Sequence, residues 1–276
     1  MGINAPNLGR PLLRVAAIAT LALILLSIPE PPASLAPIKI VTPAPMYPQP
    51  IAPQSTNALY DGSLGTGTPD TQGFFYLPYP PGSAQATQVF TAPMTRLDTT
   101  PQMSDSAGYF AKPTLYPPLD RVGGYQVLFT VQIVTETHIS QDRAGFSLLV
   151  VSSDKRGIEL GFWADEIWAQ EGGTSRPFTH AESATFTTTT DLINYRLSVL
   201  GNRYALAVNE ATVLTGPLRD YTLAPPPPLP LNPYDTPNLI FLGDDTSAAQ
   251  ARIKFLDAAV IDAPLFSSYL PLVNKD

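Results

Sequence analysis

The sequence predicts an all-β fold, a sandwich of antiparallel sheets. Apolar and polar residues alternate with a period of two through many short segments. Glycine, proline and clusters of Asn, Asp and Ser separate those segments at hairpin spacing. No convincing helical period precedes Gly124, and no credible helix interrupts the strands that follow, which argues against an α/β fold.

The N-terminal portion, residues 1–36, reads as a targeting segment. Arg10 and Arg14 precede an apolar run over 15–28. That run is shorter than the roughly 20 residues a membrane span needs, so a signal-peptide core fits better than a retained anchor. Ser34-Leu35-Ala36 resembles a cleavage site, although Pro37 follows it. Proline-dense, nearly uncharged sequence continues to Pro53, so residues 37–56 are expected to be an extended spacer. The folded domain is expected over 57–262, with 263–276 as a tail.

Within the domain, residues 73–77, 87–91 and 107–110 are candidate early strands between turn residues. Residues 125–134 alternate cleanly, and 146–151 are apolar on both faces, which places them at a sheet centre. Residues 158–163 and 166–170 flank the two-residue turn Ala164-Asp165 and read as a tight hairpin. Strands at 178–186 and 192–200 follow. A turn at Gly201-Asn202 leads to 203–208, and one at Asn209-Glu210 leads to 212–214. Residues 224–230, a polyproline run, are excluded from a sheet because proline lacks a ladder donor. Residues 238–242, a turn at Gly243-Asp244-Asp245, and a strand at 251–261 complete the domain.

Composition narrows the function. Charged residues make up only 14% of the 276 residues and hydrophobic residues 44%. A net charge of −7 without a basic run leaves no positive footprint for a nucleic acid, and none for an anionic lipid surface. Membrane contact is expected only through an uncleaved N-terminal segment. Without cysteine there is no disulfide, thiolate metal site or thiol nucleophile.

The hairpin at 158–170 is the candidate functional surface. With Trp163 opposite Glu166, one face holds Ile158, Leu160, Phe162, Ile167 and Ala169, a core face. The other holds Glu159, Gly161, Trp163, Glu166, Trp168 and Gln170. Two indoles beside carboxylates and an amide suit the apolar face and hydroxyls of a sugar. They equally suit packed residues beneath a covering loop. Gln132 and Arg196 are expected to join this ligand face. Glu159 and Glu166 lie four strand positions apart in projection, roughly 13 Å at about 3.3 Å per residue. Glycosidic cleavage needs its carboxyls about 5–9.5 Å apart. His138, placed in a polar loop, and His180 are not spaced for zinc. Asp142 and Arg143 are read as an internal ion pair.

Three segments carry a family resemblance: YALAVNEATVLTG at 204–216, LIFLGDD at 239–245, and FLDAAVI at 255–261, where Asp257 is an acid within an apolar stretch. They resemble the hairpin, glycine-turn strand and final strand of the concanavalin A-like lectin/glucanase superfamily, which includes laminin-G-like domains. The resemblance covers about 57–262 and implies a jelly-roll β-sandwich of two antiparallel sheets. Lectins, hydrolases and structural modules share this fold, so it implies little about activity. The hairpin face motivates a polysaccharide or cell-surface glycan as the expected partner, and the resemblance implies calcium at a rim loop through Asp244 and Asp245, the alternative being a solvated turn. Glucanases of the superfamily carry a pattern close to Glu-x-Asp-x-x-Glu on one strand. Here Leu160-Gly161-Phe162 follows Glu159, so that pattern is absent. The tail YLPLVNK resembles those of exported bacterial proteins. The expected protein is therefore an exported, non-catalytic, glycan- or surface-ligand-binding module. A glycan hydrolase and a structural or adhesive module are its alternatives.

Overall fold

Sixteen strands build two antiparallel eight-stranded sheets in the computed structural model. The structure describes residues 55–173, 178–223 and 232–262. The targeting segment, nearly all of the spacer, the polyproline run and the tail lie outside the described residues. Sheet A runs in the order β13 (Ala211–Pro217), β12 (Arg203–Val208), β11 (Ile193–Leu200), β6 (Tyr125–His138), β16 (Ala249–Asp262), β4 (Met94–Asp98) and β3 (Thr87–Thr91). Its eighth strand, β1 (Ser55–Asp61), pairs with the second half of β16. Sheet B runs β10 (His180–Thr185), β9 (Glu166–Gln170), β8 (Arg156–Phe162), β7 (Ser147–Val151), β15 (Leu239–Asp244), β5 (Ser106–Ala111) and β2 (Phe74–Tyr79), with β14 (Arg219–Asp220) against β8. There is no α-helix among the described residues. This is a jelly-roll β-sandwich, as the alternation and the resemblance implied.

The long pair β6–β16 forms the spine of sheet A, in register from Tyr125↔Asp262 to His138↔Ala249. Alternation turns Val127, Phe129, Val131 and Ile133 of β6 inward, with Ile253, Phe255, Ala258 and Val260 of β16. Leu148, Leu160, Phe162, Ile240 and Leu242 of sheet B meet them in the same cluster. Phe129 stacks on Tyr195 at 5.0 Å and meets Phe162 of the opposite sheet edge-on at 5.9 Å. Each such fully buried side chain contributes about 1.5–3 kcal/mol.

Strands β3 and β12 match their expected bounds. Three differences bear on function. Strand β6 runs on to His138, so that histidine is not in a loop. Strand β15 continues through Gly243 and Asp244, where a turn was expected. Strands β1, β4 and β14 were not expected. In β1 a register shift leaves Leu59 and Tyr60 both buried, which breaks the alternation that marks a strand.

A polar seam closes one side of the sandwich. Glu182 of β10 accepts from Tyr204 Oη of β12 at 2.7 Å and from Arg219 Nη1 of β14 at 2.7 Å, and it also pairs with Arg219 Nη2. Burial acts against the Glu182 carboxylate, but the Arg219 and Tyr204 hydrogen bonds overcome it and hold its pKa below the usual range. Arg219→Met removes the cation and strands the carboxylate. It is expected to lower stability by about 3 kcal/mol, the low end for a broken buried pair because Glu182 keeps some exposure, as read by urea unfolding.

Candidate functional site

The hairpin has the expected register. Gly161 pairs with Trp168, Phe162 with Ile167 and Leu160 with Ala169, and Trp163 N–H donates to Glu166 O at 2.8 Å. Ile158, Leu160, Phe162, Ile167 and Ala169 lie in the main core. Glu159, Trp163, Trp168 and Gln170 therefore face the outside of sheet B, as alternation required. The expectation of an open aromatic platform is overturned: Trp163 is 7% exposed, Trp168 1%, Glu159 3% and Gln170 1%. The outer face of sheet B carries a cover of its own.

Over the indoles, that cover is imidazole. His138 stacks on Trp163 at 4.0 Å with the planes 8° apart, and His180 stacks on Trp168 at 4.3 Å and 17°. The indoles meet edge-on at 5.7 Å, with Ala144 packed beside them. Glu136 accepts from or donates to His138 Nδ1 at 3.0 Å, and Glu166 lies 3.5 Å from His180 Nε2. Trp163 Nε1 donates to Arg143 O at 2.8 Å. Both tryptophans and both histidines of the chain thus form one four-ring cluster. Glu166 is half-buried beside the His180 ring rather than presented to a ligand.

Next to the rings lies a polar pocket in the cover. Strand β8 pairs with β9 at one end and with β14 at the other. Where the ladder parts, the Tyr221 phenol fills the gap, accepting from Glu159 N–H at 3.1 Å and donating to Gln170 O at 2.8 Å. Tyr234, set by a short 3-10 turn over Pro233–Asp235 that Asn232 caps, places its phenol oxygen 2.8 Å from Glu159 Oε2 and 3.1 Å from Asp245 Oδ2. One phenol has one proton and can donate to only one of these carboxyls. The other contact is a hydrogen bond only if its carboxyl carries a proton. Burial, then the neighbouring Asp245 charge, pushes Glu159 well above the ordinary carboxylate range. Burial also raises Asp245, with the charge of Arg143 pulling the other way. Burial thus pushes both carboxyls toward the neutral form where they converge on one phenol oxygen.

The remaining expected residues lie elsewhere. Gln132 is on sheet A, opposite Lys254, and donates to Thr189 O at 3.0 Å. Arg196 is also on sheet A, paired with Glu210. Neither joins the hairpin, because β6 and β11 belong to the other layer. Asp244 and Asp245 do not chelate one ion together. Continuation of β15 turns Asp244 toward Thr99, whose Oγ1 donates to it at 2.6 Å, while Asp245 meets Tyr234 on the outer face. Among the described residues no three His, Cys, Asp or Glu gather as a metal site. Asp142 accepts from His180 N–H at 2.7 Å, and Arg143 donates to the carbonyls of Asp142 and Phe178, so these neighbours do not form the expected ion pair.

Sheet B has one further feature that local reading missed. Leu77, Gly108, Gly243, Ser147, Gly161 and Trp168 stand in register across six strands. Three of these six have no side chain, and neighbouring groups fill the space this leaves: at Gly108 an added Cβ would run into Phe241 Cε2. At one end Trp168 lies over Gly161, where an added Cβ would come within 2.7 Å of its Cε2. The neighbouring row is Phe75, Phe110, Phe241, Leu149 and Glu159. A narrow cleft remains near the β2 end, between Leu77, Tyr79, Phe110, Phe241 and Asp245. Its volume of about 20 Å³ has room for a water molecule.

No family model matches the sequence, and no curated protein does. Among solved structures, the chain is similar to the carbohydrate esterase vb_24B_21 of the Shiga toxin-encoding bacteriophage phi24B. The TM-score is 0.52 at 10% identity, covering 76% of this chain and 100% of that one. This likeness shows a shared fold. The chain is also similar to the Emp46p carbohydrate recognition domain in its potassium-bound form (TM-score 0.47, 11% identity, 76% and 98% covered) and to the VIP36 exoplasmic/lumenal domain bound to calcium and mannose (0.46, 9%, 77% and 92%). Likeness at these identities concerns the fold alone.

Two predictions test this geometry. Gly161→Ala drives a methyl into the Trp168 ring and is expected to cost about 1–3 kcal/mol, with red-shifted tryptophan emission as the indole is displaced. Glu159→Gln mimics the protonated acid. A raised folded-state pKa means the stability supplied by neutral Glu159 is complete below the ordinary carboxylate pKa and is lost as pH rises through the raised one. The variant should match wild type near pH 4 and melt higher at pH 8. The expected gain is about 2–4 °C for each kcal/mol of charge burial relieved.

Proposed function

We propose that this chain is an exported, non-catalytic glycan-binding module. Its ligand lies across the outer face of sheet B at the β2 end, not on the tryptophan hairpin. The observation that carries this reading is the narrow cleft there, with Phe110 and Phe241 on one side and Tyr79 and Asp245 near its mouth. Aromatic faces offer stacking to sugar C–H groups, and a carboxyl offers a hydroxyl partner. The cleft is too small to enclose a sugar ring, so the saccharide rests along its mouth. Export rests on the N-terminal apolar run, and no helix among the described residues is long and apolar enough to cross a membrane.

A second reading, glycan hydrolysis, is favoured by the raised Glu159 carboxyl, since a general acid needs a raised pKa. It is the weaker reading because Glu159 is sealed and both carboxyls converge on the same phenol. A two-carboxylate mechanism needs them on either side of a sugar bond.

Pull-down on insoluble polysaccharides, followed by titration with neutral oligosaccharides of the retained polymer, tests the first reading. Tyr79→Ala is expected to weaken binding about tenfold without unfolding the domain. Retention of no polymer, or unchanged affinity in Tyr79→Ala, sinks it. Release of reducing sugar that disappears in Glu159→Gln would establish the second reading in its place.

A further inference from the structure

The outer face of sheet A holds a separate groove at its β3 edge. It is lined by Val89, Thr91, Met94, Arg96 and Lys254 and has a volume of about 480 Å³, within the roughly 300–1,000 Å³ typical of small-ligand sites. Arg96 and Lys254 are direct cross-strand partners, and Val89 stands opposite Arg96 on the other side. A row from β16 through β4 to β3 therefore reads cation, cation, apolar.

Like charges directly opposite on a sheet destabilise it. This chain has 23 acidic residues against 16 basic ones, so counter-charges are not scarce. The next cation along β16, Arg252, has one: its Nε lies 2.6 Å from Asp98. Arg121, Lys155, Arg156, Arg196 and Arg219 are also paired with acids, and Lys112 and Arg143 lie over phenylalanine rings. Arg96 and Lys254 have neither kind of partner among the described residues. The nearest acid past the bulge in β16, Asp257, is engaged by Thr130 Oγ1 at 2.9 Å. Two adjacent, uncompensated cations thus border an open groove whose flank, Val89 and Met94, is apolar.

We propose that this groove binds an acidic saccharide, a sugar unit bearing a carboxylate or sulfate. The anionic group lies between Arg96 and Lys254, where the guanidinium fork and the ammonium donate charge-assisted hydrogen bonds. The apolar face of the ring rests on Val89 and Met94, and Thr91 supplies a hydroxyl. A bare inorganic anion would leave the apolar flank unused, and a neutral sugar would leave the cations unpaired. The site is on sheet A, away from the sheet B cleft, and does not depend on the reading given there.

Titration calorimetry on the full chain tests it, with a galacturonate trisaccharide, a sulfated galactose disaccharide, a neutral galactose trisaccharide and inorganic sulfate as probes. The first two arms separate carboxylate from sulfate as the preferred group. An acidic saccharide is expected to bind more tightly than the neutral one and than sulfate alone. Its affinity should fall steeply between ~0.05 and ~0.5 M salt. Arg96→Gln and Lys254→Gln should each weaken it about tenfold, and the double variant should abolish it. Arg203, on β12, also makes no ion pair among the described residues, so Arg203→Gln controls for bulk charge and should bind as wild type. Both groove variants should melt at or above wild type, because like-charge repulsion is relieved. Equal binding of the neutral trisaccharide, equal binding of sulfate alone, unchanged affinity in the double variant, or an equal loss in Arg203→Gln overturns the proposal.

Discussion

Sheet B has to bury both of its faces, and most of what is distinctive here follows from that. Its inner face packs on sheet A in the ordinary manner of a sandwich. Its outer face carries Leu149, Val151, Leu239 and Phe241, and a second apolar layer of Tyr221, Tyr234 and Phe178 closes over them. A sheet covered on one side by irregular chain forces every polar group beneath to find a partner inside the protein. The Tyr221 phenol answers this where β8 and β9 part, serving one orphan N–H and one orphan carbonyl together. Tyr234 does the same for two carboxyls, at the further cost of bringing two buried acids together.

That cost bears on what the acid pair is. Two ionised carboxylates sealed together would be strongly destabilising, and one protonated acid is the cheaper state. Arg143 moderates the charge that remains, while its own guanidinium is held by carbonyls and by the Phe178 ring. The cluster joins β8, the chain after β15 and the loop at residues 232–235, three parts of the sequence that no local preference would bring together. Hydrogen bonds of this kind specify an arrangement more than they stabilise it.

Period-two alternation was enough to sort the faces of the hairpin at 158–170, because each side chain's direction is fixed by its place along the strand. It could not say whether the outward face would stay open. The rings that seal Trp163 and Trp168 come from His138, at the end of a strand of the other sheet, and from His180 on the neighbouring strand. Nothing within a few residues of either tryptophan announces them. The Asp244-Asp245 reading failed for a related reason. LIFLGDD contains a glycine and two acids, which resemble a turn locally, yet pairing with β5 keeps Asp244 in the ladder and sends adjacent side chains to opposite faces. The glycine row was hidden more deeply: Gly108, Gly161 and Gly243 look like isolated breakers until strand order and register line them up beneath the packed rings.

The cover is uneven, and this locates functional exposure on sheet B better than residue type does. It is thickest over β8 and β9, where tryptophan and glutamate first suggested a site, and thins toward β2. There Phe75 is 59% exposed, shielded only by the Lys112 ammonium 5.4 Å from its ring centroid. An edge strand normally limits exposed apolar surface, because it invites pairing with other chains. Phe75 continues the row of Phe110 and Phe241, so the exposed ring is the outer end of an aromatic band that runs inward beneath the cover. A core in need of that ring would have buried it, and a strand needing only solubility would carry a polar residue there. The proposed ligand reading of this face rests on that band, which surfaces at the thin edge of its cover beside a narrow cleft.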